Sequence, residues 1–312
     1  MANDSWTWPA RPKSTEEFEA MMFSLDRHLA LYEAVPSRRS LNAARLVSIA
    51  LNLSGTPILG GSEDRGIPFG PRDLICRVFE WFDANYGERN KIDMALGRIV
   101  LPLHNTYWML DIQLVYGTAV PFADRNLDNK GRQIGTGNEP ATVNVLRCLR
   151  GITQPYASRL ADADIHAVLR AYRHGYAAMA FLDSLTGHPL FSQARADYNA
   201  SVEALLLGTA LSRARWDTAQ CAEKVLKGLL GRAGHDFPTG GWQGHDIPHL
   251  GGLVDTHLGA TLPEILLRAI TCSPKVRYGE MNVDINEAWT SHACLLDLLI
   301  HLRSVPPMAG RT

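Results

Sequence analysis

SRARWDTAQCAEKVLKGLLGRAG, residues 212–234, places Ala219, Ala222, Leu226, Leu229, Leu230 and Ala233 at the three-and-four spacing of an amphipathic helix. Arg213, Asp217, Glu223, Lys224 and Lys227 fall elsewhere on the cylinder, so the stretch reads as a long core helix with a charged outer face. On that face Glu223 and Lys227 form an i,i+4 ion pair, while the alanines permit close helix approach and the leucines fill a core. A chain built around such a segment needs further helices to cover it.

The neighbouring sequence supplies them. From Ala141 onward helical patterns recur near 141–150, 162–184, 192–211, 212–234, 247–257, 262–272 and 284–304. Thr186-Gly187-His188-Pro189 combines a helix stop with a new start and is the expected boundary of the last domain. Toward the N-terminus, Ser14-Thr15-Glu16-Glu17 has the spacing of a capping box. The helix it opens runs through Phe18, Met21, Met22, Leu25, Leu29 and Tyr32 to about Ala34, with Pro36 as its stop. Helical patterns follow at 41–53 and 73–86, separated by a turn-rich stretch at 54–71. Beyond Gly97 the period becomes two. Ile99, Leu101 and Leu103 alternate with Arg98, Val100 and Pro102, and after His104-Asn105-Thr106 a second run sets Trp108, Leu110, Ile112 and Leu114 on one face. That is a β-hairpin with Pro102 on an edge strand, followed by a loop-like region at 117–140. The expected architecture is mostly α: an N-terminal α+β domain (1–150), connecting helices (151–189) and a helical bundle (190–312).

Length and composition are those of a globular chain: 312 residues, 46% hydrophobic, 20% charged, net charge −1. No global basic field advertises nucleic acid, although local patches are compatible with that balance. Five widely spaced cysteines (Cys76, Cys148, Cys221, Cys272, Cys294) suit reduced thiols, and neither a secretory h-region nor a membrane-length apolar run occurs. A cytoplasmic protein without membrane partners is expected.

Four histidines (His235, His245, His249, His257) crowd one stretch with Asp236, Asp246 and Asp255, the composition of a metal site, and a metal-binding protein is one alternative reading. HExxH and CxxC patterns are absent, and Asp246 ahead of Ile247-Pro248 reads as a helix N-cap; no metal ligand set and no cofactor are therefore assigned. Gly135-Thr136-Gly137 is a lone GxG without the rest of a phosphate loop, and no GxSxG elbow is present. Arg150, Arg159, Arg170, Arg173 and His174 interleave with Tyr156, Tyr172 and Tyr176, a pattern shared by nucleic-acid surfaces and ordinary solvated helices.

Taken in order, Ala194 to Asp197 (AxxD), Ala219 to Leu230 (AxxCAEKxLKGLL), His245 to Leu250 (HDxxxL) and Lys275-Val276-Arg277-Tyr278 ahead of a last helix resemble the HEPN superfamily over residues 190–303. The resemblance implies a four- or five-helix bundle that dimerises, and a range of roles: RNA-processing toxins, nucleotidyltransferase partners, and non-catalytic modules that bind RNA, a nucleotide or a protein in stress or defence systems. On it His245, Asp246, Lys227, Arg277 and Tyr278 are the expected binding residues. Catalytic members carry an Arg and a His separated by four to six intervening residues, and here the first histidine after Arg277 is His292. Comparable pairs occur only elsewhere, at Arg98/His104 and Arg159/His166, which makes Arg159 and His166 the candidates for a metal-independent endoribonuclease. The leading expectation is a non-catalytic RNA-, nucleotide- or partner-binding homodimer.

Overall fold

Ser14 opens the first helix, α1 (Thr15–Ala30), with Oγ accepting from Glu17 N at 3.3 Å. Glu17 completes the reciprocal contact one residue early, on Lys13 N at 2.7 Å. The computed structural model describes residues 6–53, 65–90, 95–114, 118–132 and 139–305; most of the turn-rich stretch (54–64) and the GxG at 135–137 lie outside these. Pro36 does more than stop a helix: it is the first residue of α2 (Pro36–Ala50), where a missing N–H costs nothing and φ is already helical. The second helix therefore starts five residues ahead of the expected 41. With α3 (Pro71–Tyr86) these helices enclose Met21, Met22, Leu25, Val47, Leu74, Val78 and Phe82. Arg39 and Tyr86 both bond the Asp26 carboxylate, at 3.1 and 2.5 Å, which ties all three helices together.

The chain divides into compact units at Met1–Asp93 and Met94–Thr312, not at 150 or 189. The reason is the hairpin. Strands β1 (Ala95–Leu103) and β2 (Thr106–Gln113) pair antiparallel, with Ile99 opposite Leu110 and Leu101 opposite Trp108. His104 and Asn105 both have positive φ (49° and 59°), as a two-residue primed turn requires. Ile99, Leu101, Leu103, Leu110 and Ile112 are buried as their alternation predicts, and they belong to the core of the helical unit. Val100, on the other face, is buried too, because β1 is covered on both sides.

Residues 141–150, expected as a helix, instead form strand β4 (Ala141–Asn144) and a 3-10 turn at 145–148. β4 pairs in parallel with β3 (Ala119–Phe122) inside the region expected to be loop. Asn144 explains why the strand stops there: its buried side chain accepts from Asp124 N and donates to the carbonyls of Asp124, Asn126 and Asn129, wrapping the intervening loop.

The remaining elements are α4 (Gln154–Ala157), α5 (Asp162–Ser184), α6 (Pro189–Leu207), α7 (Leu211–Arg232), α8 (Ile247–Leu258), α9 (Glu264–Ile270), α10 (Pro274–Arg277) and α11 (Ile285–Leu302). Gly187-His188-Pro189 is thus a junction between two helices of one unit rather than a domain boundary. The stretch that opened the sequence reading is α7, and it is the hub: α6, α8, α9, α10 and α11 all pack on it. Gly228 makes room for α6, since a Cβ there would stand 2.5 Å from the Phe191 ring. The mostly α architecture with a helical bundle is as expected. Among the described residues no helix is long and apolar enough to cross a membrane.

Side chains of the bundle hold β1 by its backbone. Tyr198 donates to Arg98 O (2.6 Å), Trp289 to Val100 O (3.3 Å), and the fully buried His292 accepts from Val100 N through Nε2 (3.3 Å). Burial lowers the His292 pKa from 6.5 to about 4. The unfolded chain therefore takes up a proton at a higher pH than the native one does. Stability from this group is complete above pH 6.5 and is lost as pH falls toward 4, on the order of 3 kcal/mol in all. Urea midpoints measured at pH 7.5 and 4.5 are expected to drop further for the wild type than for His292→Gln.

Candidate functional site

Helical geometry puts Trp216, Gln220, Glu223 and Lys227 along one strip of α7, with Trp216 and Glu223 two turns, or about 10 Å, apart. At the Glu223 end, Lys227 Nζ lies 2.7 Å from Glu223 Oε1, and both side chains are buried (7% and 8% exposed). This corrects the expected outer-face pair: α8 packs here, so the pair is enclosed. Gln220 Nε2 donates to Glu223 Oε2 at 3.3 Å, and His245 Nδ1 meets the same oxygen at 3.0 Å. His245 is itself 57% exposed. A buried carboxylate thus orients a surface imidazole, leaving Nε2 without a hydrogen bond among the described residues.

Local sequence delivers His245 to that position. Gly241, at φ 69°, turns the chain into a 3-10 turn at Trp242–Gly244, and Asp246 then caps α8 by accepting from His249 N at 3.3 Å. Asp246 caps the helix through Oδ1, and Lys227 Nζ is the counter-ion of Glu223. Trp242 stands 72% exposed beside them.

At the other end of the strip, α10 brings the Arg277 guanidinium 5.2 Å from the Trp216 ring centroid and 6.0 Å from that of Tyr278. Ser273 starts α10 by accepting from Lys275 N, and Tyr278 follows it 72% exposed. Three of the five expected binding residues, His245, Arg277 and Tyr278, therefore lie along the strip at the surface. Trp216, Glu223 and Gln220 are the partners that sequence spacing alone did not nominate.

No protein-family model, curated protein or solved structure matches the chain. The site rests on its own geometry.

The other candidates separate. Arg159 lies just beyond α4, its Nε bonded to Pro155 O, and His166 is on α5; both are exposed and no hydrogen bond or ion pair joins them. The imidazole that does meet a carboxylate nearby is His104, at the hairpin turn, with Nε2 2.9 Å from Asp164 Oδ2 and Nδ1 3.4 Å from the Tyr156 hydroxyl. Arg98 is engaged across the hairpin with Asp111 at 3.3 Å. In the Arg/Tyr stretch, Arg150 also binds Asp111 (2.8 Å), His174 pairs with Asp297 (2.8 Å), and burial pushes Tyr172 up to about 12. Of the four clustered histidines, His235 and His257 stack with ring centroids 4.5 Å apart, while His245 goes to Glu223 and His249 lies near Trp242. Among the described residues no three His, Cys, Asp or Glu side chains converge as metal ligands. All five cysteines are free thiols; burial pushes Cys148 up to about 12 and raises Cys221 too, the opposite of what a nucleophile needs.

Proposed function

We propose that residues 190–312 form a HEPN-like module that binds single-stranded RNA or a nucleotide at the surface where Trp216, Arg277 and Tyr278 meet. The Trp216–Arg277–Tyr278 group carries this reading: a guanidinium between two rings, one of them open to solvent, offers a base a stacking face and a phosphate a cation. Exposed Trp242 and His245 extend the strip. A stress or defence setting follows from the superfamily by analogy alone. Exposed Leu207, Trp242, Ile265 and Tyr278 support a homodimer that covers part of this surface, and sedimentation showing only monomer across micromolar concentrations would remove the dimer.

Labelled single-stranded RNA incubated with the purified chain tests binding and cleavage together. Retention is expected, weakened about tenfold by Arg277→Ala or Tyr278→Ala, since stacking contributes about 1–3 kcal/mol per base. No retention at low salt, or variants that bind like the wild type, would refute the reading. A second reading, a metal-independent endoribonuclease, is favoured by the Glu223–His245 pair, whose exposed imidazole suits a general base. It requires cleavage that His245→Gln abolishes; intact RNA in the same assay removes it and leaves the binding reading standing.

A further inference from the structure

Helix α5 carries the middle of the Arg/Tyr stretch. His166, Arg170 and Arg173, spaced four and three apart, fall within about 60° of arc and about 10 Å of helix length, and all three are exposed. Tyr176, 38% exposed, borders them. The acids around them are engaged with other cations. On α5 itself Asp162, one turn before His166, takes Arg125 at 2.6 Å, Asp164 takes His104 at 2.9 Å and Asp183 takes Arg195 at 2.8 Å. Of the elements packed on α5, β1, β3 and the 3-10 turn at 145–148 carry no acid. β2 carries Asp111, held by Arg98 and Arg150, and α11 carries Asp297, held by His174 at 2.8 Å, and Glu287, beside Arg215. Among the described residues Arg170 and Arg173 have neither a hydrogen bond nor an ion pair, and the same holds for Arg147, exposed on that 3-10 turn. The segments of this unit that lie outside the described residues contain no acidic residue.

We propose that this face of α5 is a track for the phosphate backbone of single-stranded RNA. Two guanidiniums with both forks free can each take phosphate oxygens in bidentate fashion, and His166 continues the row as a further donor. Tyr176 offers a ring to a neighbouring base, a contact that tolerates any sequence. Ala163 and Ala177 extend the stripe at either end, so a strand can lie close and no large apolar side chain stands there to enter a lipid surface. The choice of RNA as the polyanion rests on the reading above. The track shares no residue with the Trp216–Arg277–Tyr278 surface, so the two are separable by mutation.

Fluorescence anisotropy of labelled oligouridylate with the full chain, at salt from about 50 to 200 mM, tests this. Each phosphate contact on a single strand contributes about −0.7 to the slope of log K against log salt concentration. Arg170→Gln combined with Arg173→Gln is therefore expected to make the slope shallower by about 1.4 and to weaken low-salt binding about tenfold or more, with an unchanged melting curve. Arg170→Lys with Arg173→Lys is expected to keep the slope, because counterion release needs only the charge. Affinity and slope indifferent to the glutamine pair overturn the track; if Tyr278→Ala still weakens binding, the Trp216–Arg277–Tyr278 surface stands without it. Binding lost in the glutamine pair but unmoved by Arg277→Ala and Tyr278→Ala supports the track and removes that surface. Polyglutamate that displaces the label as well as unlabelled oligouridylate does overturns the RNA assignment in favour of an acidic protein, and no binding at the low-salt end overturns both sites.

Discussion

Arg215→Ala is expected to destabilise the C-terminal unit by about 3–5 kcal/mol, among the largest effects of any single substitution in this chain. Helix α9 ends at Ile270, where the last carbonyls of a helix have no partner of their own. Arg215, buried in α7, supplies partners: one terminal nitrogen donates to Ile270 O (2.6 Å) and Ser291 Oγ (2.8 Å), the other to Ala269 O and Thr271 O (both 2.8 Å). Glu287 lies 3.6 Å from Nε and balances the charge. One planar guanidinium therefore closes α9 and joins it to α7 and α11. Alanine would strip all four bonds and leave buried acceptors unpaired, and Arg215→Lys should recover less than half of the loss because a single ammonium cannot reproduce the fork. Urea unfolding measures this. A loss below about 1 kcal/mol would mean that water serves those carbonyls equally well.

Arg215 also shows where sequence periodicity stops being informative. Spacing marks the stripe of a helix that faces one neighbour, and for α5 it gave the same bounds, 162–184, that the fold has. Helix α7 has neighbours on several sides, so Arg215, Glu223 and Lys227 are buried along with its leucines. A charged residue there reads as solvent-facing until the surrounding helices are known. The hairpin was legible because alternation and a two-residue turn are local properties. β3 and β4 were not, because each is four residues long and pairs with a segment 22 positions away. The same division governs the site. His245, Arg277 and Tyr278 stand out in their own segments, whereas the Glu223 that orients His245 lies 22 residues before it, and Asp164, which meets His104, lies 60 residues from its partner.

Lys227→Met is expected to cost about 3–5 kcal/mol, and the size of that loss decides between the two placements of the Glu223–Lys227 pair. On a solvated helix face an i,i+4 pair contributes about 0.3–0.5 kcal/mol, because water and salt screen it and both side chains lose rotamer freedom. Between side chains only 7% and 8% exposed, removing the ammonium strands a carboxylate that retains only His245 and Gln220 as donors. Adding Glu223→Gln should return much of the loss: the amide needs no counter-ion, and its oxygen can still accept from His245 Nδ1. The double variant is therefore expected to lie well above the sum of the two single changes, with a coupling of about 2 kcal/mol or more in a double-mutant cycle. Coupling below about 0.5 kcal/mol would put the pair back in solvent and remove the enclosed carboxylate on which the orientation of His245 depends.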